Sequence, residues 1–438
     1  MTLAVRAMGG LACIMGALAT PPGASAQTLA PENPGSAGLL NEPGVTVASR
    51  ERPDYARLGV RLGSAIIRPE VSQAYGYDDN VTATPQAHGS PVVQTNINLR
   101  AGTDLSRYGL TARLTVDDLR YLDLPKQSAT NWTVALGGAY QPGHDTVSLD
   151  YLHVNQNQTP RDLNTPLLDQ ALAYRVDSLT AGYGVAFSRL LLRPELSVSR
   201  YDFDDGTAAG QPFAQRFRNR IAVMPSITAG YELAPRRDIV VVVRNVAASY
   251  TTRTPGTPGR DFNDTTVLAG IDYDGGGPWR YRLLGGYEVR QFGSAAYKTI
   301  AAPVGEASVI YTPTGLTTVT GTVVRRIQDS ADETTVGFTK TTVRLAVDHE
   351  YLRNVLLRGQ AALSLDDNNG GGGQQTIYSA GVGATWLLNR NVRLGATYDF
   401  TARRSGSTAP RLLPSGQNLR FGTDYTEGQY LLRLSLGL

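Results

Sequence analysis

The sequence predicts an all-β protein: a transmembrane, antiparallel outer-membrane β-barrel of about 18 strands (16–18), with short periplasmic turns and long extracellular loops. Three observations support this fold class. Apolar and polar side chains alternate with period two from residue 65 to the end of the 438-residue chain, as in strands whose two faces meet different surroundings. The connections between these segments alternate between short and long. An export signal precedes them.

The first 26 residues have the features of a secretory signal peptide. Arg6 supplies a positive charge, residues 7–19 are apolar, and Ala24-Ser25-Ala26 provides the small residues of a cleavage site before Gln27. The apolar run is too short to span a membrane. Cys13 is the only cysteine of the chain, so the mature chain has no disulfide framework. We therefore expect an exported protein that resides in the outer membrane of a Gram-negative bacterium.

The alternating segments are long enough to cross a bilayer. In the last one, Tyr430 and the leucines that follow it alternate with Arg433 and Ser435. About 9–11 residues suffice for a tilted membrane strand, whereas strands of soluble sheets usually have about five or six residues. Eighteen such segments are predicted, near residues 65–77, 92–104, 108–120, 130–141, 145–155, 172–186, 190–203, 217–232, 238–251, 264–273, 279–291, 303–312, 316–327, 335–348, 354–365, 375–387, 391–402 and 426–437.

The connections between these segments fall into two classes. Tight ones carry turn residues, as in Gln141-Pro142-Gly143-His144 and Asp274-Gly275-Gly276-Gly277. Long polar loops lie between them, at 78–91, 156–170, 204–215, 252–263 and 402–423. Outer-membrane barrels have this pattern, with the short turns in the periplasm. An even number of strands places both ends of the barrel on that side, where the export signal requires the chain to start.

A secreted solenoid, propeller or sandwich would also contain many short strands. A solenoid or propeller requires a fixed sequence period, and none runs through this chain. One face of nearly every segment is apolar while the other is charged, and the chain ends inside an alternating strand. Because hydrocarbon cannot bond strand-edge N–H and C=O groups, a spanning sheet must close on itself. These features favour a transmembrane barrel.

The polar strand faces are predicted to line a lumen, because a barrel of sixteen to eighteen strands encloses an aqueous channel. Only three of the 41 basic residues are lysine, so arginine dominates these faces. One interpretation is a basic-leaning, mixed-charge conduit for a hydrated polymer. The alternative is that arginines and carboxylates pair across neighbouring strands and stiffen the wall. The candidate lumen-lining residues are Arg68, Glu70, Arg100, Arg193, Glu195, Arg280, Arg282, Glu288, Arg290, Arg326, Arg344, Asp348, Arg393, Asp399 and Arg433.

Aromatic residues on the apolar faces are expected at the two membrane interfaces, where their amphipathic rings are favoured. The candidate girdle residues are Trp132, Trp279, Trp386, Tyr398 and Tyr430.

The chain is predicted to have three parts: a signal peptide (residues 1–26), a periplasmic N-terminal extension (27–62) and the transmembrane β-barrel (63–438). The extension is rich in proline, glycine and small residues and has no hydrophobic period, so we expect it to be mostly irregular. Two roles are open for it, docking a periplasmic partner or plugging the barrel mouth.

The sequence contains no recognisable catalytic or metal-binding motif. The four histidines, at 88, 144, 153 and 349, lack metal-ligand spacing, and no GxSxG or Walker-type motif occurs. The acidic pairs Asp78-Asp79, Asp117-Asp118 and Asp204-Asp205 are interpreted as solvated strand ends, and Gly370 to Gly373 as a flexible extracellular loop. We therefore predict no catalytic residue, no metal, no cofactor and no enzymatic activity.

Several segments resemble a known family. They are Ser49-Arg50, Arg52-Pro53-Asp54-Tyr55, 58–63, Arg68-Pro69 and 75–80 near the start, and 314–320, 348–354 and 378–391 further on. In order and spacing they are similar to the family called Putative beta-barrel porin 2, over essentially the whole mature chain. The resemblance implies an outer-membrane barrel. Because many members are associated with exopolysaccharide or capsule loci, it also implies polymer export together with a periplasmic polysaccharide-export lipoprotein.

Three functions remain open from the sequence. The resemblance favours a porin-like conduit for exopolysaccharide export. The architecture equally allows a general diffusion porin for small hydrophilic solutes, and long loops suit a structural or adhesive outer-membrane protein. The expected partners are outer-membrane lipid and lipopolysaccharide, the barrel-assembly machinery and the cargo itself, polysaccharide or small solutes. Nucleic acid is not expected, because the formal net charge is only +3. The last residue is Leu438, whereas barrel proteins usually end in an aromatic residue that the barrel-assembly machinery recognises.

Overall fold

Eighteen long strands form a single closed sheet in the computed structural model, which describes residues 46–438 apart from 51, 104, 163–164, 369–373, 406–409, 415 and 417. These strands are 12 to 16 residues long. They are β1 (Ala65–Asp78), β2 (Ser90–Thr103), β3 (Tyr108–Tyr121), β4 (Ala129–Tyr140), β5 (Thr146–Gln158), β6 (Leu172–Phe187), β7 (Leu190–Phe203), β8 (Arg220–Ala234), β9 (Arg237–Tyr250), β10 (Phe262–Asp274), β11 (Trp279–Phe292), β12 (Ile300–Thr314), β13 (Thr317–Gln328), β14 (Phe338–Leu352), β15 (Val355–Asn368), β16 (Gln374–Leu387), β17 (Val392–Ser405) and β18 (Tyr425–Gly437).

The sheet closes on itself without a crossover. Each strand pairs antiparallel with its neighbours in sequence, and β18 pairs with β1, with Tyr430 opposite Tyr77. Closure leaves no strand edge facing lipid, where unbonded backbone groups would be costly. The predicted fold class, an all-β antiparallel barrel of eighteen strands, is confirmed.

Short and long connections alternate around this barrel, as the sequence predicts. The turn between β6 and β7 and the turn between β8 and β9 have two residues each. Ser188 and Arg236 adopt the left-handed conformation there, with φ of 54° and 65°, which a tight hairpin requires. The first residue of β1 and the last residue of β18 both lie at the short-turn end, so both termini of the barrel are periplasmic.

Little regular structure lies outside the eighteen strands. A short strand, Val60–Leu62, pairs with the beginning of β1. Two small hairpins lie in the long loops, Gly206–Ala208 with Gln211–Phe213 and Arg411–Leu412 with Asn418–Leu419. The helical elements among the described residues are two single 3₁₀ turns. None of these residues belongs to a helix long and apolar enough to cross a membrane.

The outward strand faces indicate where the membrane lies. In β3 the outward residues are apolar or small from Tyr108 to Val116, and Asp118 and Arg120 follow toward the extracellular end. In β7 the outward residues are apolar from Leu190 to Val198 and charged beyond it. Nine residues of a tilted strand are enough to cross the hydrocarbon core. The apolar band therefore occupies the periplasmic part of the barrel, and the strands extend beyond the membrane on the outside.

Aromatic residues mark the periplasmic border of this band. Trp279 and Trp386 lie at the short-turn ends of β11 and β16, with about half of each side chain exposed (47% and 49%). Trp279 stacks on Tyr311 with the ring centroids 4.0 Å apart. The girdle candidates from the sequence included none of the tyrosines at this border. These tyrosines occupy outward positions next to short turns: Tyr108, Tyr140, Tyr183, Tyr231, Tyr273, Tyr281, Tyr311 and Tyr351.

The other three predicted girdle residues lie higher on the wall. Trp132 is near the extracellular end of β4 and stacks on His153, with the ring centroids 4.5 Å apart. Tyr398 and Tyr430 lie opposite each other on β17 and β18, and both are exposed. The role of all five in anchoring the barrel stays a prediction.

The inner face is less uniformly polar than the alternation suggests. Val240 and Val242 of β9 pack on Leu268, Leu284 and Val304 of the next three strands, and all five are buried. The inner wall of β9 to β12 thus carries an apolar patch among its charged residues. The run Ile239 to Val243 is apolar at every position, so period two could not reveal which of its faces meets water.

The described residues cover only part of the predicted domains. The signal peptide (residues 1–26) and the extension as far as residue 45 lie outside the described residues. The remainder of the extension contains a turn at residues 47–49 and the short strand Val60–Leu62. The division at residues 26 and 62 stays a prediction.

Candidate functional site

The strand register places the predicted lumen-lining residues on one face of the sheet. Arg393 and Asp399 share a face with Arg403, which bonds an extracellular loop that folds inward. On β11 the outward residues are mostly exposed and apolar. The charged residues that alternate with them, Arg280, Arg282, Glu288 and Arg290, therefore share the inner face. The same alternation holds on the other strands that carry these candidates. Their contribution to transport stays a prediction.

Three of these arginines are paired with carboxylates on the neighbouring strand. Between β10 and β11, Arg280 lies 3.0 Å from Asp274, and Arg290 lies 2.9 Å from Asp264. Arg282 and Asp272, also directly opposite each other, are 3.7 Å apart. Cross-strand pairs of opposite charge stabilise a sheet and fix its register. In this part of the barrel the charges pair as the wall-stiffening interpretation expects, and their effect on the wall stays a prediction.

A second group of arginines has a different environment. Arg68, Arg100 and Arg113 lie directly opposite one another on β1, β2 and β3, and we call them the inner arginine row. Like charges in directly opposed positions are destabilising. None of the three forms an ion pair with any carboxylate that the structure describes. Arg100 donates one hydrogen bond, from its Nε to Asn98 Oδ1 at 3.1 Å.

One extracellular loop, residues 159–171, reaches from the end of β5 to the seam between β1 and β18, about a quarter of the way around the barrel. Its Arg161 is buried against Asp78 at the end of β1 and Glu427 at the start of β18. The Arg161 Nε lies 2.6 Å from Glu427 Oε2, and the Tyr121 hydroxyl donates to Asp78 at 3.0 Å. We call these four residues the Arg161 cluster. Burial disfavours the charge of Arg161, but the two carboxylates outweigh that effect and raise the pKa of its guanidinium.

A second loop, residues 329–337, folds inward from the far side. Asp329 is buried among three guanidinium groups: Arg220 Nη1 lies 3.4 Å from Oδ2, Arg218 Nε 3.6 Å from Oδ2, and Arg260 Nη2 3.7 Å from Oδ1. The Tyr250 hydroxyl donates to Asp329 at 3.0 Å. We call these five residues the Asp329 cluster. Burial alone would raise the pKa of Asp329, but the arginines hold it below its usual range.

The long loops also pack on one another. Leu168, Phe213, Leu419 and Phe421, from three different loops, belong to one buried apolar cluster. Gln215 donates to the Ala331 carbonyl at 3.1 Å, which joins two of the loops through a buried contact. The extracellular entrance is thus narrowed by loops that ion pairs and apolar contacts hold in place.

The periplasmic rim carries a segment of its own. Residues 46–57, here called the strap, run from β1 along the inner side of the rim as far as β13, about a third of the way around the barrel. Arg50 and Arg52 both bind Glu350 of β14, the latter at 2.8 Å. The Val47 N–H donates to Thr318 Oγ1 at 3.0 Å. The strap therefore narrows the periplasmic opening.

One interpretation of the acidic pairs was wrong. Asp78 is not a solvated strand end, because it is fully buried and bound to Arg161. The glycine run at 370–373 lies outside the described residues. In the part of the chain that the structure describes, no group of three or more His, Cys, Asp or Glu side chains is arranged to hold a metal ion.

A closed antiparallel barrel with an apolar outer band, short periplasmic turns and long extracellular loops defines an outer-membrane β-barrel of the porin class. The family model described as Putative beta-barrel porin 2 matches residues 52–411. The chain belongs to that family and is a porin of the bacterial outer membrane.

The chain is also similar, at low sequence identity, to several solved structures. OccK2 (OpdF) of Pseudomonas aeruginosa, solved in complex with glucuronate, has 10% sequence identity and a TM-score of 0.48, over 86% of this chain and 99% of that chain. A BenF-like porin from Pseudomonas fluorescens has 10% identity and a TM-score of 0.47, over 86% and 100%. OccK1 (OpdK) of Pseudomonas aeruginosa has the same identity and TM-score, over 85% and 99%. Among curated proteins, no sequence matches this chain.

Proposed function

We propose that this porin is a diffusion channel for small hydrophilic solutes, with a preference for anions. The observation that carries the proposal is the narrowed extracellular entrance, where the loops at 159–171 and 329–337 fold inward and are fixed by the Arg161 and Asp329 clusters. Separating a buried ion pair is energetically unfavourable, because it leaves a buried charge without its partner. The entrance is therefore a stable constriction, which suits solutes of limited size.

The same observation bears on polymer export. A polysaccharide that is exported through the barrel must fit through its narrowest point. An export conduit therefore needs an entrance as wide as the polymer and its hydration shell. Loops locked across the entrance work against this requirement. No contact of the described residues favours exopolysaccharide export over diffusion of small solutes, and we do not propose it as the function.

The preference for anions follows from the arginines of the wall. Charged rings and rows in a channel favour permeating ions of opposite charge. Where arginines are paired with carboxylates, as between β10 and β11, their fields largely cancel. The inner arginine row has no such partner among the described residues, so its field acts on the solution in the lumen.

Liposome swelling tests the proposed function. Vesicles containing the refolded barrel are placed in isotonic solutions of uncharged sugars of increasing size, from arabinose to raffinose. We expect fast swelling with the monosaccharides and a steep decline toward the trisaccharide. Equal rates for all sugars, or rates no higher than those of empty vesicles, would contradict a size-limited channel. Normal surface polysaccharide in a deletion strain would independently support the choice against polymer export.

A further inference from the structure

We propose that the inner arginine row, Arg68, Arg100 and Arg113, is a binding site for the carboxylate group of a small organic anion on its way through the lumen. The inference rests on the proposed function and adds to it a site and a class of solute. The site lies in the periplasmic part of the barrel, since Arg68 is the fourth residue of β1 and Arg100 is the fourth from the end of β2.

The register places the three arginines at directly opposed positions on neighbouring strands. Arg68 is the direct partner of Arg100, and Arg100 is the direct partner of Arg113. Directly opposed side chains on neighbouring strands have their Cβ atoms about 5 Å apart and point to the same face. Three positive charges thus lie side by side across three strands, on the inner face of the wall.

On the three strands of the row, the nearest described carboxylates of the inner face are bound to other residues. Glu70, two residues along β1 on the same face, is bound to Arg57 of the strap. Asp117, the nearest carboxylate on β3 that shares the face, accepts hydrogen bonds of 2.8 Å from Gln94 and from Asn96. Neither carboxylate forms an ion pair with the row, and no other carboxylate among the described residues does. An anion from solution can therefore relieve the repulsion within the row.

The donors of the row are suited to a carboxylate. A guanidinium is a planar fork that binds both oxygens of a carboxylate at once, and it keeps its charge under all physiological conditions. Arg68 and Arg100 are exposed on the inner face, and the half-buried Arg113 has a buried Nε without a hydrogen-bond partner. An anion that lies against the row can therefore be passed from one fork to the next.

The segment that joins the strap to β1 contributes to the geometry of this site. Gly59 has φ of +73° and lies against the Arg68 side chain, where a Cβ atom would be 2.9 Å from Cγ of that arginine. A larger residue there would displace the arginine as well as strain the backbone. The close approach of the chain at Gly59 leaves Arg68 room to remain in register with Arg100.

The experiment compares two triple variants of the full mature barrel in planar bilayers. The test variant is Arg68→Gln, Arg100→Gln and Arg113→Gln. The control is Arg120→Gln, Arg175→Gln and Arg200→Gln, which removes the same net charge from outward, exposed arginines paired with Asp118, Asp204 and Asp202. Succinate is the probe, and succinamide is its uncharged counterpart. The readout is the succinate concentration that halves the chloride current, together with the anion-to-cation permeability ratio.

We expect the half-blocking concentration of succinate to rise at least about tenfold in the test variant. Each charge-assisted hydrogen bond contributes about a factor of ten or more to the affinity. The control should stay within about twofold of the wild type, and succinamide should not block any of the three proteins. An equal response of test and control variants would overturn the site, as would a test variant that succinate blocks like the wild type.

If the triple variant does not fold, Arg100→Gln alone gives the same comparison against Arg200→Gln. A wild-type barrel that passes no sugar in the swelling assay would instead refute the proposed function.

Discussion

The loop at residues 329–337 should be released when Asp329 loses its charge. Asp329→Asn keeps the size of the side chain and an acceptor for the Tyr250 hydroxyl, but it removes the negative charge that Arg218, Arg220 and Arg260 share. All three arginine side chains are buried, with exposed fractions of 3%, 5% and 8%. Removing one partner of a buried ion pair costs about 3 to 5 kcal/mol. The balance between the inward and the released loop should therefore shift about 150- to 5,000-fold.

Single-channel recording measures this change. The Asp329→Asn channel should show a higher conductance or frequent transitions to a higher level, and larger polyethylene glycols should enter it. Asp204→Asn is the matched control, because its partner Arg175 lies 3.4 Å away and both side chains are about half exposed. Such surface pairs contribute little to stability. A wild-type conductance and size limit for Asp329→Asn would refute the assignment of this loop as the constriction.

Acid should have the same effect on the wild-type protein. The pKa of Asp329 is held below its usual range in the folded protein, so its ion pairs contribute stability above the ordinary pKa of about 4. That contribution is lost as the pH falls through the lowered value. The inward position of the loop should thus persist at pH 5 and be lost only below about pH 4. The Asp329→Asn channel should lack this acid step.

Three further changes should have local effects. Glu350→Gln removes the anion that Arg50 binds, so limited proteolysis should cut the strap faster while heat-modifiable mobility of the barrel on gels stays unchanged; uncut wild-type and variant straps would contradict its anchoring. Arg161→Gln leaves two buried carboxylates without their cation, and the folded fraction should fall or the conductance rise, whereas an unchanged channel would mean that the Arg161 cluster does not hold its loop. Trp279→Ala removes a ring stacked on Tyr311 at the lipid border and should lower the free energy of unfolding in urea by about 1 kcal/mol or more; no loss would argue against an interfacial role.

The barrel could be predicted from the sequence because its dominant energy terms are periodic. Lipid on one side of a pleated strand and water on the other dictate alternation, and closure dictates the number and order of antiparallel neighbours. The segment predicted at 190–203 coincides with β7, and the one at 279–291 differs from β11 by one residue. The largest boundary error is at β14, which begins three residues later and ends four residues later than the predicted segment 335–348.

The entrance could not be predicted, because the contacts that form it join residues far apart in the chain. Asp78 and Glu427 are separated by almost the whole barrel, and only closure brings them to Arg161. The polar loop sequence around Arg161 looks like an ordinary solvated loop. Asp329 is similar, since its three arginines come from the loop and strand ends around β8 and β9.

The inner arginine row lies between these two cases. Each of its arginines was recognisable from alternation as an inward residue, except Arg113, which was not among the lumen candidates. Its like-charged register could not be predicted, because register depends on the length of the turns that join β1, β2 and β3.

The central claim is that the apolar strand faces meet lipid and the polar faces enclose water. Single cysteines at Val343, Arg344 and Leu345 of β14 test it most directly, because the chain has no cysteine after Cys13. In sealed liposomes, a small charged thiol reagent should modify the cysteine at 344 and leave those at 343 and 345 unmodified. Equal labelling at all three positions, or labelling only at 343 and 345, would contradict the assignment of the two faces and the channel built on it.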